Sequence, residues 1–246
     1  MIRSLNLRGF EEELGNVMRA SGDDGFTFLD GLNAMLVREN EMRAENRYNA
    51  GIKVSHFPFI RSIEDYDFSF QPSVRRADIM DLMSLRFMSE KENVILMGTP
   101  GTGKTHIAVA IGMEAWKRSK RTYFITCKEL VFQLEKARVE NTLERRLKTF
   151  ASHGLLIIDE FGHDVLSDNE ANDLFQLLQL RYENKSTILT TNYQLYQWKK
   201  IFGTNRTALE ATMDRFLHHC KIVMMNGPSY RLKDKIQYIQ EEEELV

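Results

Sequence analysis

The chain has few cysteines, no long apolar run and no excess of one charge, and each absence excludes something. Among 246 residues there are only two cysteines, Cys127 and Cys220, far apart in the sequence. Two distant thiols provide no disulfide framework, which fits a reducing, cytoplasmic setting. No apolar stretch approaches the ~20 residues needed to cross a bilayer, so no membrane span and no membrane partner are expected. The opening "MIRSLNLRGFEEE" lacks the apolar core of a secretory signal. Lys and Arg number 33 against 35 Asp and Glu, a formal net charge of -2. A chain so balanced is not a basic nucleic-acid binder as a whole, and any such contact must come from a local patch. There are no internal repeats, and the one low-complexity piece, "EEEE" at 241–244, is most simply a solvated end.

What is present is enough apolar sequence, 43% of residues, for one sizeable core and a small appended domain. Residues 1–50 read as helical. Leu5, Phe10, Leu14, Val17 and Met18 approximate one apolar face, and Phe28, Leu32, Met35 and Leu36 start a second after the "SGDDG" break. The stretch "YNAGIKVSHFPF" has Gly51, Pro58 and no clear periodicity, and reads as a linker. From Asp67 onward short apolar strands alternate with helices. The strand candidates are 93–97, 122–127, 154–159, 186–191 and 221–226. That alternation predicts an α/β fold with a mostly parallel sheet and crossover helices.

The segment "GTPGTGKTH" fits the phosphate-loop pattern through Gly98, Gly103, Lys104 and Thr105, after an apolar strand and before a helix. Glycines let the backbone take positive φ and approach phosphates closely. The N–H groups of Thr99, Pro100's neighbours Gly101, Thr102 and Gly103, and the helix start through His106 would then form an anion nest. Lys104 would neutralise β/γ oxygens, and the Thr105 hydroxyl would ligate Mg2+. The strand "LLIID" ends in Asp159 and Glu160, where open α/β sheets bind ligands. Asp159 would complete the Mg2+ shell, and Glu160 would polarise the water attacking the γ-phosphate. Asn192, at the tip of the following strand, either orients that water or simply ends a strand in a turn. Arg215 and Arg231 carry the planar fork that matches phosphoryl charge, although each alone reads better as a surface residue. "HHC" at 218–220 lacks metal-ligand spacing. Tyr66 or Phe68 could wall the adenine, or belong to the core.

Taken in order, "GTPGTGKTH", "LLIIDEFG", "STILTTN", "DRFLHHCKIV" and "GPSYRLKD" resemble the IstB family of insertion-sequence transposition helpers, themselves similar to DnaC-type helicase loaders. Both lie in the initiator and loader branch of the AAA+ ATPases. The resemblance spans most of the chain, including "NLRGFEEEL" and "LVRENEMRAENR" near the start. It implies an AAA+ core over 59–246, with 207–246 as a lid-like part, after an N-terminal helical domain and linker over 1–58. It also implies roles. Asn192 would be the sensor-1 residue, Arg215 the finger reaching ATP on the adjacent subunit, and Arg231 the sensor-2 arginine. ATP and Mg2+ are the expected cofactors, with duplex DNA, a cognate transposase and further copies of the chain as partners.

DNA contact needs a basic patch. Lys128, Lys136, Arg138, Arg145, Arg146 and Lys148 follow the second strand, in a part of the core that faces the central channel in related initiators. Interleaved Glu129, Glu135, Glu140 and Glu144 allow the plainer reading of a solvated helix pair laced by i,i+4 ion pairs. A replicative helicase loader on the same engine is the alternative function. A small-molecule kinase is a third, disfavoured because Arg215 and Arg231 have no evident acceptor pocket.

Overall fold

The computed structural model describes residues 2, 4–23, 25–200 and 213–233. The chain divides into two compact units, Met1–Lys53 and Val54–Val246. The first is built on α1 (Arg8–Ala20) and α2 (Phe28–Val54). Thr27 and Asp30 cap α2 reciprocally: the Asp30 carboxylate accepts the Thr27 N–H at 2.9 Å, and the Thr27 hydroxyl oxygen accepts the Asp30 N–H at 3.2 Å. Gly9 meets Glu39, and Gly31 meets Val17, so the two helices run antiparallel. The approach at Gly9 is so close that a Cβ there would lie 2.5 Å from the Glu39 Cα. The Gly9 N–H donates to the buried Glu39 carboxylate at 2.8 Å, and Arg43 pairs with that carboxylate at 2.6 Å. Helix α2 continues through Tyr48–Val54, which the sequence presents as linker; Gly51 is buried inside it rather than breaking it. Packing outweighs the modest cost of one interior glycine.

The second unit is a five-stranded, all-parallel sheet in the order β2-β3-β4-β1-β5. Its strands are β1 (Asn93–Gly98), β2 (Thr122–Thr126), β3 (Leu155–Asp159), β4 (Ser186–Thr191) and β5 (Cys220–Met225). These are the five strands the alternation predicts. β1, β3 and β4 are buried along their whole length, which explains the apolar runs Val94–Met97 and Leu155–Ile158; β4 buries Ser186 and three threonines along with Ile188 and Leu189. The crossovers are α5 (Lys104–Lys117), α6 (Cys127–Val139), α7 (Leu143–Ser152) and α8 (Asp168–Arg181). α3 (Arg76–Met83) and α4 (Arg86–Ser89) precede the sheet, and a short helix covers 213–218. Ile95, Met97, Leu156, Ile158 and Leu189 pack with Leu130, Leu134, Phe150, Leu174 and Leu178 of α6 to α8. Cys127 opens α6 instead of closing a strand, because the Thr126 hydroxyl accepts the Glu129 N–H and caps the helix. Of the expected lid-like part over 207–246, residues 207–212 and 234–246 lie outside the described residues, as does the acidic stretch 241–244.

At the N-terminal end of the sheet, Arg181 is fully buried. Its guanidinium donates to the Thr187 hydroxyl at 3.0 Å and to the carbonyls of Phe150, Ala151, His153 and Ser186. It thereby ties the last turn of α7 to the start of β4. Burial pushes its pKa down.

Candidate nucleotide site

The strand order decides the site. β4 lies between β1 and β3, so their C-terminal ends bring three segments together: the phosphate loop after β1, Asp159 and Glu160 at the end of β3, and Asn192 after β4. A cleft of about 640 Å³ opens there. Its lining includes residues 100–106, Glu160, Thr190, Asn192 and Arg231.

Gly98 ends β1, the loop runs from Thr99 to Gly103, and α5 begins at Lys104. Gly101 and Gly103 have φ of +81° and +89°, and both positions are crowded. A Cβ on Gly101 would lie 2.1 Å from the Ser229 hydroxyl, and one on Gly103 would lie 2.5 Å from the Tyr66 ring. Side chains are excluded on both grounds. The loop is braced from both sides. Behind it, the segment after β5 bonds to it: Thr99 Oγ1 donates to the Gly227 carbonyl at 3.0 Å, and the Tyr230 N–H donates to the Gly101 carbonyl at 2.9 Å. In front, the Tyr66 hydroxyl donates to the Thr102 carbonyl at 2.8 Å, and the His106 ring bonds the Ser62 carbonyl at 2.7 Å. Tyr66 therefore supports the loop, and burial raises its pKa to about 12. Phe68 packs on Tyr66 and does not line the cleft, whereas Phe59 and Arg61 do.

Lys104 is buried, and its Nζ donates to the Gly98 and Thr99 carbonyls at 2.8 and 2.7 Å. Burial lowers its pKa to about 8; Asp159 opposes that shift and Arg231 adds to it. The Thr105 hydroxyl donates to the Asp159 carboxylate at 3.0 Å. Burial raises the pKa of Asp159, and hydrogen bonds from Thr190 and Thr105 offset part of the shift. The donor set fits a magnesium triphosphate: a hydroxyl and a carboxylate in contact for the ion, and a buried ammonium with backbone N–H groups for the phosphates. Glu160 is exposed at the cleft with φ +58°, an uncommon conformation for a residue with a side chain. Its N–H is held by the Thr190 hydroxyl at 3.0 Å.

Asn192 and Arg231 both line the cleft. Arg215 does not: it is exposed on the 213–218 helix, beside Leu178, Gln179, Tyr182 and Phe216. The six basic candidates after β2 differ among themselves. Arg138 is bound by the buried Asp173 carboxylate, joining α6 to α8. Arg146 bonds Gln133 and sits 4.9 Å from the Phe150 ring centroid. Lys136 and Lys148 pair along their helices with Glu140 and Glu144 at 3.9 and 2.6 Å. Lys128 and Arg145 are exposed. Thr190 is absent from the sequence-derived site, and the fold adds it to the lining along with Phe59 and Arg61.

The family described as IstB-like ATP binding protein matches residues 1–238. A protein named for ATP binding in insertion sequence IS232 of Bacillus thuringiensis subsp. berliner is 40% identical over 230 residues, covering 94% of this chain and 92% of that one. Among solved structures, the DnaC helicase loader is similar with a TM-score of 0.52 at 28% identity, over 61% of this chain and 86% of that chain. DnaI, at 21% identity, has a TM-score of 0.58 over 67% of this chain and 90% of its own, and speaks for the fold alone. The parallel sheet and phosphate loop are an AAA+ core of the DnaC-like kind.

Proposed function

The chain belongs to the IstB-like ATP-binding family, and we propose that it is a Mg2+-dependent ATPase that assembles on duplex DNA and stimulates a partner transposase. The observation that carries this reading is a division of labour among the polar and charged residues. Lys104, Glu160, Asn192 and Arg231 line one protomer's cleft, with Asp159 bonded to Thr105 at its floor, while Arg215 stands exposed outside it. A phosphate cleft that lacks its last counter-charge is completed by a second copy.

Lys104 exchanges its contacts with the Gly98 and Thr99 carbonyls for phosphate oxygens. Thr105 and Asp159 would hold Mg2+, whose charge offsets that of the β- and γ-phosphates. Glu160 takes a proton from the water that attacks the γ-phosphorus, the bond to the bridging oxygen breaks, and the electron pair leaves with ADP. Asn192 orients that water, and Arg231 neutralises the transferring group from the same protomer. Arg215 of a neighbour supplies the remaining positive charge, so triphosphate favours assembly and hydrolysis weakens the interface.

DNA is held through its phosphates by the exposed cations Lys128, Lys136, Arg145 and Lys148. Contacts of that type lose affinity steeply with salt and show little sequence preference. A helicase-loader reading draws on the likeness to DnaC, but the relative named for an insertion sequence is more similar and matched over nearly its full length. Sedimentation with duplex DNA, with and without a non-hydrolysable ATP analogue, tests the proposal. An ATP-dependent, salt-sensitive assembly is expected; a chain that stays monomeric with both ligands refutes it.

A further inference from the structure

We infer that Thr190 is a positioning residue that sets the metal carboxylate and the water-polarising glutamate in one geometry; this rests on the ATPase reading above. Three contacts converge on it. Its hydroxyl donates to Asp159 Oδ1. The same oxygen accepts the Glu160 N–H at 3.0 Å. Its carbonyl accepts the Phe161 N–H at 2.8 Å. One residue of β4 therefore binds three consecutive residues at the end of β3, just where the regular ladder between these strands stops. The ladder register pairs Ile158 with Leu189 and runs no further. Beyond it the chain turns at Glu160 with φ +58°, and the Thr190 hydroxyl and carbonyl take the N–H groups this turn releases.

The hydroxyl is well suited to the task because it is both donor and acceptor. With its one proton committed to Asp159, its lone pair faces the Glu160 N–H. The Asp159 carboxylate accepts from Thr105 and Thr190 together, so its plane is fixed before any ion arrives. Thr190 is buried, and no solvent molecule could take over its two bonds without displacing the side chain. The linkage places Glu160 at a defined distance from the ion-binding carboxylate although the Glu160 side chain itself is exposed. Thr190 also stands two residues before Asn192, so β4 delivers both the water-orienting amide and the hook that aligns its partners.

Valine replaces the hydroxyl with a methyl group of similar shape, and serine restores it. With Thr190→Val, kcat should fall ~10–100-fold, the range for a group that orients a metal ligand. The affinity for an ATP analogue without Mg2+ should stay within ~3-fold, since the phosphate loop is untouched. Thr190→Ser should recover most of kcat. A second readout needs no turnover. In thermal melts with a non-hydrolysable ATP analogue, Mg2+ should raise the wild-type Tm further, and Thr190→Val should lose that increment while keeping the shift due to nucleotide alone. The inference is overturned if Thr190→Val keeps the wild-type rate and Mg2+ increment, or if nucleotide affinity and rate fall together and serine fails to rescue. If the wild-type chain itself does not hydrolyse ATP, the proposed function falls, and the Mg2+ increment still decides the role of Thr190.

Discussion

Two buried cations stand at opposite ends of the same sheet, and they do opposite things. Arg181, at the N-terminal end, spends its N–H groups on one hydroxyl and four carbonyls of its own fold. Lys104, at the C-terminal end, bonds only two carbonyls of a loop whose glycines hold positive φ, beside an open cleft that also contains Arg231. Both pay for burial with a lowered pKa. At Arg181 the fold itself returns the compensation, so the cation is structural. At Lys104 the compensation is partial, and on the proposed function a polyanion completes it. Burial of a charge does not identify a site; what matters is whether the surrounding acceptors already suffice.

Breaking each end separately should separate activity from stability. Lys104→Ala should lower ATP turnover about a thousandfold, as expected for removing a cation aimed at developing phosphoryl charge. Its Tm without nucleotide should fall only slightly, because the two carbonyls left without their donor border an open cleft from which water can reach them. Arg181→Met should do the reverse. It leaves five acceptors without their donor, and urea unfolding should show a loss of about 3 kcal/mol, while the folded fraction keeps its nucleotide affinity.

A finer cut lies within the cleft. Glu160→Gln should lower kcat about a hundredfold, the scale of general-base catalysis, with ATP binding preserved. The smallest expected effect is on pH. In the nucleotide-free chain Lys104 loses its proton as pH rises through about 8. Phosphate binding needs the charged form, so above that point binding must take up a proton, and affinity falls by up to about tenfold per pH unit. Below it the profile is flat on this account. Lys104→Arg stays charged and should remove the fall, whatever its effect on absolute affinity. Isothermal titration across pH 7–9.5 measures both.

The comparison also explains what the sequence made readable. The phosphate loop is contiguous, so Gly98 to His106 can be found without knowing the fold. The strands β1 and β3 are legible because burial on both faces leaves the apolar runs Val94–Met97 and Leu155–Ile158, and β4 because its β-branched Thr187, Ile188, Thr190 and Thr191 suit a strand, before each meets a turn or polar tip. Asp159, Glu160 and Asn192 follow from that rule. Thr190 does not. It is one of three threonines in β4 that look alike in the sequence, and its bond to Asp159 spans 31 residues. The Tyr66 brace spans 36 residues, and the Thr99 contact behind the loop spans 128. These contacts depend on strand order, and the order β3-β4-β1 is not written in any one segment. Arg138 misleads in the other direction. It resembles its basic neighbours in sequence, yet only the fold brings buried Asp173 to it across 35 residues. Arg181 looks like any arginine near a helix end, and nothing local distinguishes it.

The central claim is that the cleft of one protomer is completed by Arg215 of the next. Mixing two variants tests it most directly: Lys104→Ala, which keeps Arg215 but has a disabled cleft, and Arg215→Ala, which keeps the cleft but lacks the finger. Each alone should hydrolyse ATP poorly in the presence of DNA. Combined, they should recover turnover at interfaces where an intact cleft faces an intact Arg215. If the mixture is no more active than the sum of its parts, or if Arg215→Ala alone is fully active, the site is complete within one chain and the account is wrong.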